Sequence, residues 1–128
     1  MKNFKLHFEV ESDFAYLPFL TSIFKTLKVK DAGALTQILV EAYTNAVIHA
    51  HKRRKEKWIG IDISVSPKRT LIRVLDRGPG IKNKTLRKKF SQWQTHGRGL
   101  MLIRAHADKV ADKKKGVLHI FEAIKFYG

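Results

Sequence analysis

Three groups of residues have types and spacings that could do chemistry. "EAYTNAVIHA", residues 41–50, carries Glu41, Asn45 and His49 at every fourth place in an otherwise apolar stretch. In a helix each step of four advances the side chain by about 40°, so the three form one slowly drifting polar stripe. Leu39, Tyr43, Ala46, Val47 and Ala50 are left on the other side to face a core. Further on, Asp76 precedes Gly78 and Gly80, and Gly97 precedes Gly99. A carboxylate can take a proton, an amide oxygen can ligate a hard cation, and glycine-freed backbone N–H groups can hold an anion. Each group also has an ordinary reading: a stripe facing water, an Asp-Gly turn, and a loop ahead of a helix.

Bulk properties narrow the setting. The chain has 128 residues, which fits one domain, 1–128, able to bury a core without metal or disulfide support. It has no cysteine, so disulfides and thiolate zinc sites are excluded. His49 and His51 form the nearest histidine pair, and at i, i+2 they point to different sides of a helix. No apolar run approaches membrane-spanning length, and the opening "MKNFKLHFEV" alternates where a signal-peptide core would be continuous. A cytoplasmic domain with no membrane contact is expected. The formal charge of +15 implies attraction to polyanions such as nucleic acid, nucleotide phosphates or an acidic protein. "HKRRKEK", residues 51–57, concentrates that charge, either as a solvated face or as a docking surface.

The elements that must position these residues follow from periodicity. Residues 4–10 alternate as a half-buried strand. Ser12 or Asp13 is placed to cap a helix carrying Phe14, Leu17, Leu20, Phe24 and Leu27, with Pro18 early enough to be tolerated. Asp31 is placed to open a second helix running to about residue 52. "WIGIDISVS" and "TLIRVLD" read as strands joined by "PKR", with Trp58 on the face opposite Ile59, Ile61 and Ile63. Residues 82–95 are polar and basic, with room for a short helix at 86–90. "GRGLMLIRAHAD" reads as a helix, and "VLHIFEAIKFY" as a final strand reached across a "KKKG" turn. The expected fold is an α/β (α+β) two-layer sandwich: a mixed sheet with helices on one face.

E-x-x-x-N-x-x-x-H on a helix, D-x-G-x-G after a strand and G-x-G opening a helix occur here in that order. Together they resemble the GHKL ATPase superfamily, whose members share the Bergerat ATP-binding fold. "GRGLMLIRAHADKV" and "EAYTNAVIHA" most resemble the anti-sigma-factor serine kinases of bacterial partner-switching systems. The resemblance spans about residues 4–126 and implies a role for each motif residue. Asn45 would hold Mg²⁺ through its amide oxygen, and Glu41 would be the general base for an attacking hydroxyl. Asp76 would accept the adenine amino group, with Gly78, Gly80 and Ile81 beside the base. Gly97, Gly99 and Leu100 would present backbone to phosphate, with Thr95 and Arg98 as polar neighbours. His49 would stand near the phosphates, and residues 81–96 would form a lid in which Thr95 takes a place that is basic in many relatives.

The resemblance implies an ATP- and Mg²⁺-dependent serine/threonine protein kinase that binds a sigma factor and phosphorylates an anti-sigma-factor antagonist, as a homodimer. A sensor histidine kinase would need a phospho-accepting histidine on a dimerising helical domain, so only a stand-alone ATPase part of such a system stays open. The other alternative is a non-catalytic nucleotide-sensing or nucleic-acid-binding module. Basic surfaces without aromatic interleaving give the nucleic-acid reading little support.

Overall fold

The computed structural model describes residues 3–50, 57–76, 99–115 and 118–127, and for residues 49–50 and 99–102 the backbone alone. Strand β1 (Phe4–Glu11) is followed by a 3-10 turn (Phe14–Tyr16), helix α1 (Leu17–Thr26) and helix α2 (Ala32–Asn45). A π-helical turn (Ala46–Ala50) extends α2, and strands β2 (Trp58–Val65) and β3 (Arg69–Asp76) form a hairpin. Helix α3 (Gly99–His106), β4 (Lys109–Lys115) and β5 (Leu118–Phe126) complete the described elements.

The sheet order is β1-β2-β3-β5-β4. The two-layer α+β architecture is the one expected, but among the described residues all four pairings are antiparallel, where the sequence suggested a mixed sheet. Alternation produces one apolar face. Val10, Phe8 and Leu6 lie opposite Ile59, Ile61 and Ile63, and Ile61 and Ile63 lie opposite Val74 and Ile72. Ala123 and Val110 continue that face across β5 and β4. Helix α2 packs against both α1 and α3. Leu20, Ile23 and Phe24 of α1, Leu35, Ile38, Leu39 and Tyr43 of α2, and Ile103 of α3 are buried there. Each such side chain contributes about 1.5–3 kcal/mol relative to exposure, so this layer holds the helices to the sheet.

The other face of the sheet is laced by ion pairs. His7 bonds Asp62, and Arg73 Nε donates to Glu122 at 2.8 Å with Lys113 Nζ 3.7 Å away. Burial pushes the Glu122 carboxyl up, but Arg73 and Lys113 outweigh it and hold the group below its ordinary value. Trp58 lies exposed on the face opposite Ile59, as its parity requires.

Local chemistry explains the element ends. Asp13 accepts from the Ala15 N–H and caps the 3-10 turn, and Pro18 sits in the first turn of α1, where no N–H is needed. Helix α1 closes in a Schellman motif: the Val29 N–H donates to the Phe24 carbonyl, and the Lys28 N–H to that of Lys25. That motif puts Lys28 at φ 53°, a region glycine prefers, while buried Val29 supplies the accompanying apolar contact. Asp31 does precede α2, but with φ 58° and no side-chain cap bond, so its contribution is a left-handed backbone. Strand β4 corrects the sequence reading, in which part of "KVADKKK" was a turn. Its ladder to β5 runs from Lys109↔Ile124 to Lys115↔Leu118. The possible helix at 86–90 lies outside the described residues.

Candidate functional site

The polar stripe runs along the C-terminal half of α2. Glu41 and Asn45 are both half-buried on the last turns of α2, one turn apart. Leu39, Tyr43, Ala46 and Val47 are buried on the side the stripe leaves to the core. The π-helical turn after Asn45 packs against β3, the strand that ends in Asp76. Widened turns of this kind interrupt a helix where geometry is set by something other than the helix itself.

Tyr43 fixes this end of α2. Its ring is fully buried, and its hydroxyl lies 2.6 Å from the Glu11 carbonyl and 2.8 Å from that of Asp13. The hydroxyl also accepts from the Asp13 N–H at 3.1 Å. The residue between Glu41 and Asn45 in the stripe's register is thus bolted to the end of β1. Burial raises the Glu41 carboxyl above its ordinary value, which makes it a stronger proton acceptor than a solvated glutamate.

Asp76 is buried at the end of β3, on the helix-facing side of the sheet. It does not end an open turn alone. His119 of β5 is its ladder partner, and His119 Nδ1 lies 3.2 Å from Asp76 Oδ2. The other ring nitrogen, Nε2, bonds Asp112 of β4. A carboxylate, an imidazole and a second carboxylate therefore run in a row across three strands. Burial alone would lower the His119 pKa, but its bonds to Asp112 and Asp76 outweigh that and raise it from 6.5 to about 9. At neutral pH the ring is an imidazolium.

Gly78, Gly80, Ile81, Thr95, Gly97 and Arg98 lie outside the described residues, as do residues 51–56 of the basic run. Gly99 and Leu100 open α3, and His49 falls in the π-helical turn, each described by its backbone alone. The structure thus places the π-helical turn that follows Asn45 against β3, the strand that bears Asp76. His119 and Asp112 were not singled out from sequence. The available signal was parity, because alternation along "VLHIFEAIKFY" puts His119 on the same face as buried Ala123.

For Mg²⁺, the donor set fits. Among the described residues no three His, Asp or Glu gather into a metal cage. Asn45 offers one hard amide oxygen at a half-buried position, which suits a cation that keeps waters and takes phosphate oxygens. Among the described residues no helix is long and apolar enough to cross a membrane.

A family model described as a histidine kinase-like ATPase domain matches residues 17–119. Among solved structures, the chain is similar to the catalytic domain of the histidine kinase ThkA, with TM-score 0.62 and 17% identity, covering 98% of this chain and 96% of that one. It is also similar to the Acinetobacter baumannii histidine kinase AdeS, with TM-score 0.56 and 18% identity, covering 98% of this chain and 68% of that one. At these identities the likeness is one of fold. Among curated proteins none matches.

Proposed function

Because the chain belongs to the histidine kinase-like ATPase domain family, we propose that it is an ATP-dependent serine/threonine protein kinase that also binds and blocks a sigma factor. The observation that carries this reading is Glu41, a half-buried carboxyl with a raised pKa, one turn ahead of Asn45 on the helix that packs at β3. A domain that only senses nucleotide has no need of a proton acceptor there.

The chain's own residues divide the work. Asp76 accepts the adenine amino group, since a carboxylate offers acceptors only. The Asn45 amide oxygen would hold Mg²⁺, which supplies neutralisation of phosphate charge when bound. Glu41 takes the proton of a substrate serine hydroxyl as its oxygen attacks the γ-phosphorus and the β–γ bridging bond breaks, leaving ADP. Phosphoryl transfer asks mainly for positioning and charge neutralisation, so a single proton acceptor is sufficient side-chain chemistry.

The acceptor is a serine on a small anti-sigma-factor antagonist, and the setting is the cytoplasm, with the kinase a homodimer. The resemblance of "EAYTNAVIHA" and "GRGLMLIRAHADKV" to anti-sigma-factor kinases supports these partners. The charge of +15 supports an acidic docking partner.

The test is transfer of labelled γ-phosphate from Mg²⁺-ATP to candidate antagonists, by the parent and by Glu41→Gln. An acid-stable phosphate on serine is expected, with a rate about 10²–10⁴ lower in the variant at unchanged ATP affinity. Acid-labile phosphate, the mark of phosphohistidine, would instead assign the chain to a histidine-kinase-like system. A variant that transfers at the parental rate would remove Glu41 from the chemistry.

A further inference from the structure

We propose that His119, bridging Asp76 and Asp112, is a positioning residue that fixes the Asp76 carboxylate for the amino group of the nucleotide base. This rests on the reading of Asp76 as the base acceptor. The three side chains come from three different strands, β3, β5 and β4, and all lie on the helix-facing side of the sheet. Asp76 and His119 are both buried, and Asp112 is nearly so.

A neutral imidazole has one N–H and one lone pair, whereas an imidazolium donates from both nitrogens. Here Nδ1 and Nε2 each face a carboxylate oxygen. In the neutral ring one of those contacts would set a lone pair against a carboxylate in a site with little water. With both carboxyls ionised, only the protonated ring satisfies both sides. The ring holds Oδ2, and so helps to set the orientation of the Asp76 carboxylate before a base arrives. Asp112 touches no base in this scheme. It keeps the ring charged, and so acts on the base through two intervening groups.

Among the described residues, the charges that act on His119 are those of Asp76 from β3 and Asp112 from β4. Lys114, its ladder partner on β4, is exposed. As pH rises through about 9 the ring loses its second proton, and two carboxylates are left facing one neutral group.

The experiment follows His119 and nucleotide binding together between pH 7.5 and 10 on the whole chain. The ring is read by NMR, with its resonance assigned from the spectrum of His119→Gln, and affinity is read with a fluorescent ATP analogue. In the parent, His119 should titrate near 9 and affinity should fall roughly tenfold across the same midpoint, the worth of a hydrogen bond to a charged group. Asp112→Asn keeps an acceptor but removes the charge, so it should move both midpoints down together. Titration near 6.5 in the parent, affinity that is flat through the His119 midpoint, or midpoints that separate in Asp112→Asn would each overturn the proposal. Asp76→Asn tells the two readings apart. If it leaves ATP affinity intact, the base-acceptor reading fails and this proposal with it. If it weakens ATP while affinity ignores the His119 titration, only the positioning role fails.

Discussion

Replacing Tyr43 with Phe removes a single oxygen from a fully buried ring, and the structure says how much that oxygen contributes. The hydroxyl has one proton to share between the Glu11 and Asp13 carbonyls, at 2.6 and 2.8 Å, and it accepts from the Asp13 N–H at 3.1 Å. Were these backbone groups orphaned, each would cost about 1–3 kcal/mol. They are not. The Asp13 N–H also donates to the Glu11 carbonyl at 2.9 Å, and the Asp13 carbonyl also accepts from the Tyr16 N–H at 3.3 Å. The loss should therefore be near that of ordinary net hydrogen bonds, about 1–2 kcal/mol, with the ring's packing kept. For a domain of this size that lowers Tm by roughly 3–8 °C. Urea unfolding of parent and variant, followed by tryptophan fluorescence and circular dichroism, gives the difference directly. Tyr43→Ala, which also opens a cavity, should cost about 3–5 kcal/mol. ATP affinity of Tyr43→Phe should stay close to parental, because Glu41 and Asn45 keep their helix. A Tyr43→Phe loss as large as that of Tyr43→Ala would refute the reasoning, since it would mean that the backbone partners are not shared as described.

Asn45→Ala should abolish the Mg²⁺-dependent part of ATP affinity, about tenfold or more, while leaving the circular dichroism spectrum unchanged. Titrating the nucleotide with and without Mg²⁺ checks it. Because the His119 pKa is raised, its contribution to stability is fully present below 6.5 and lost as pH rises through about 9; that gap corresponds to at most about 3 kcal/mol. Denaturant midpoints should thus fall on the alkaline side, and fall less in His119→Gln. Lys28→Gly should raise stability by roughly 0.5–1 kcal/mol, since φ is 53° there and glycine adopts that region without strain. A thermal melt showing destabilisation would remove the strain argument.

Much of the fold was legible because it lies in short-range pattern. Strict alternation in "FKLHFEVE" and "WIGIDISV" sorts residues onto two faces, and Leu39, Tyr43, Ala46 and Val47 opposite the Glu41–Asn45 stripe are buried as that spacing implies. Alternation does not say which way a neighbouring strand runs, so the antiparallel direction of every pairing was not in it. Strand β4 was missed for a different reason. "KVADKKK" has almost no apolar residues to alternate, and it is a strand because β5 supplies a ladder and because lysines are well suited to an edge. The stripe could be seen from spacing alone, whereas His119, a partner of Asp76, lies 43 residues away and depends on the register between β3 and β5. No local rule carries that information.

Strand β5 comes last among the described elements, yet it lies between β3 and β4 inside the sheet. During synthesis, β1, β2 and β3 can pair in order as each leaves the ribosome, but residues 118–126 must emerge before the sheet can extend beyond β3. Until then β4 has no neighbour and Asp76 has no His119. Closure of that last strand is a long-range event and the slow, cooperative kind of step in folding. A chain that has not yet released residues 118–126 would therefore present a paired hairpin and the α2 helix, but Asp76 without His119. The Asp76–His119 contact would arrive only with β5, as part of the same transition that extends the sheet.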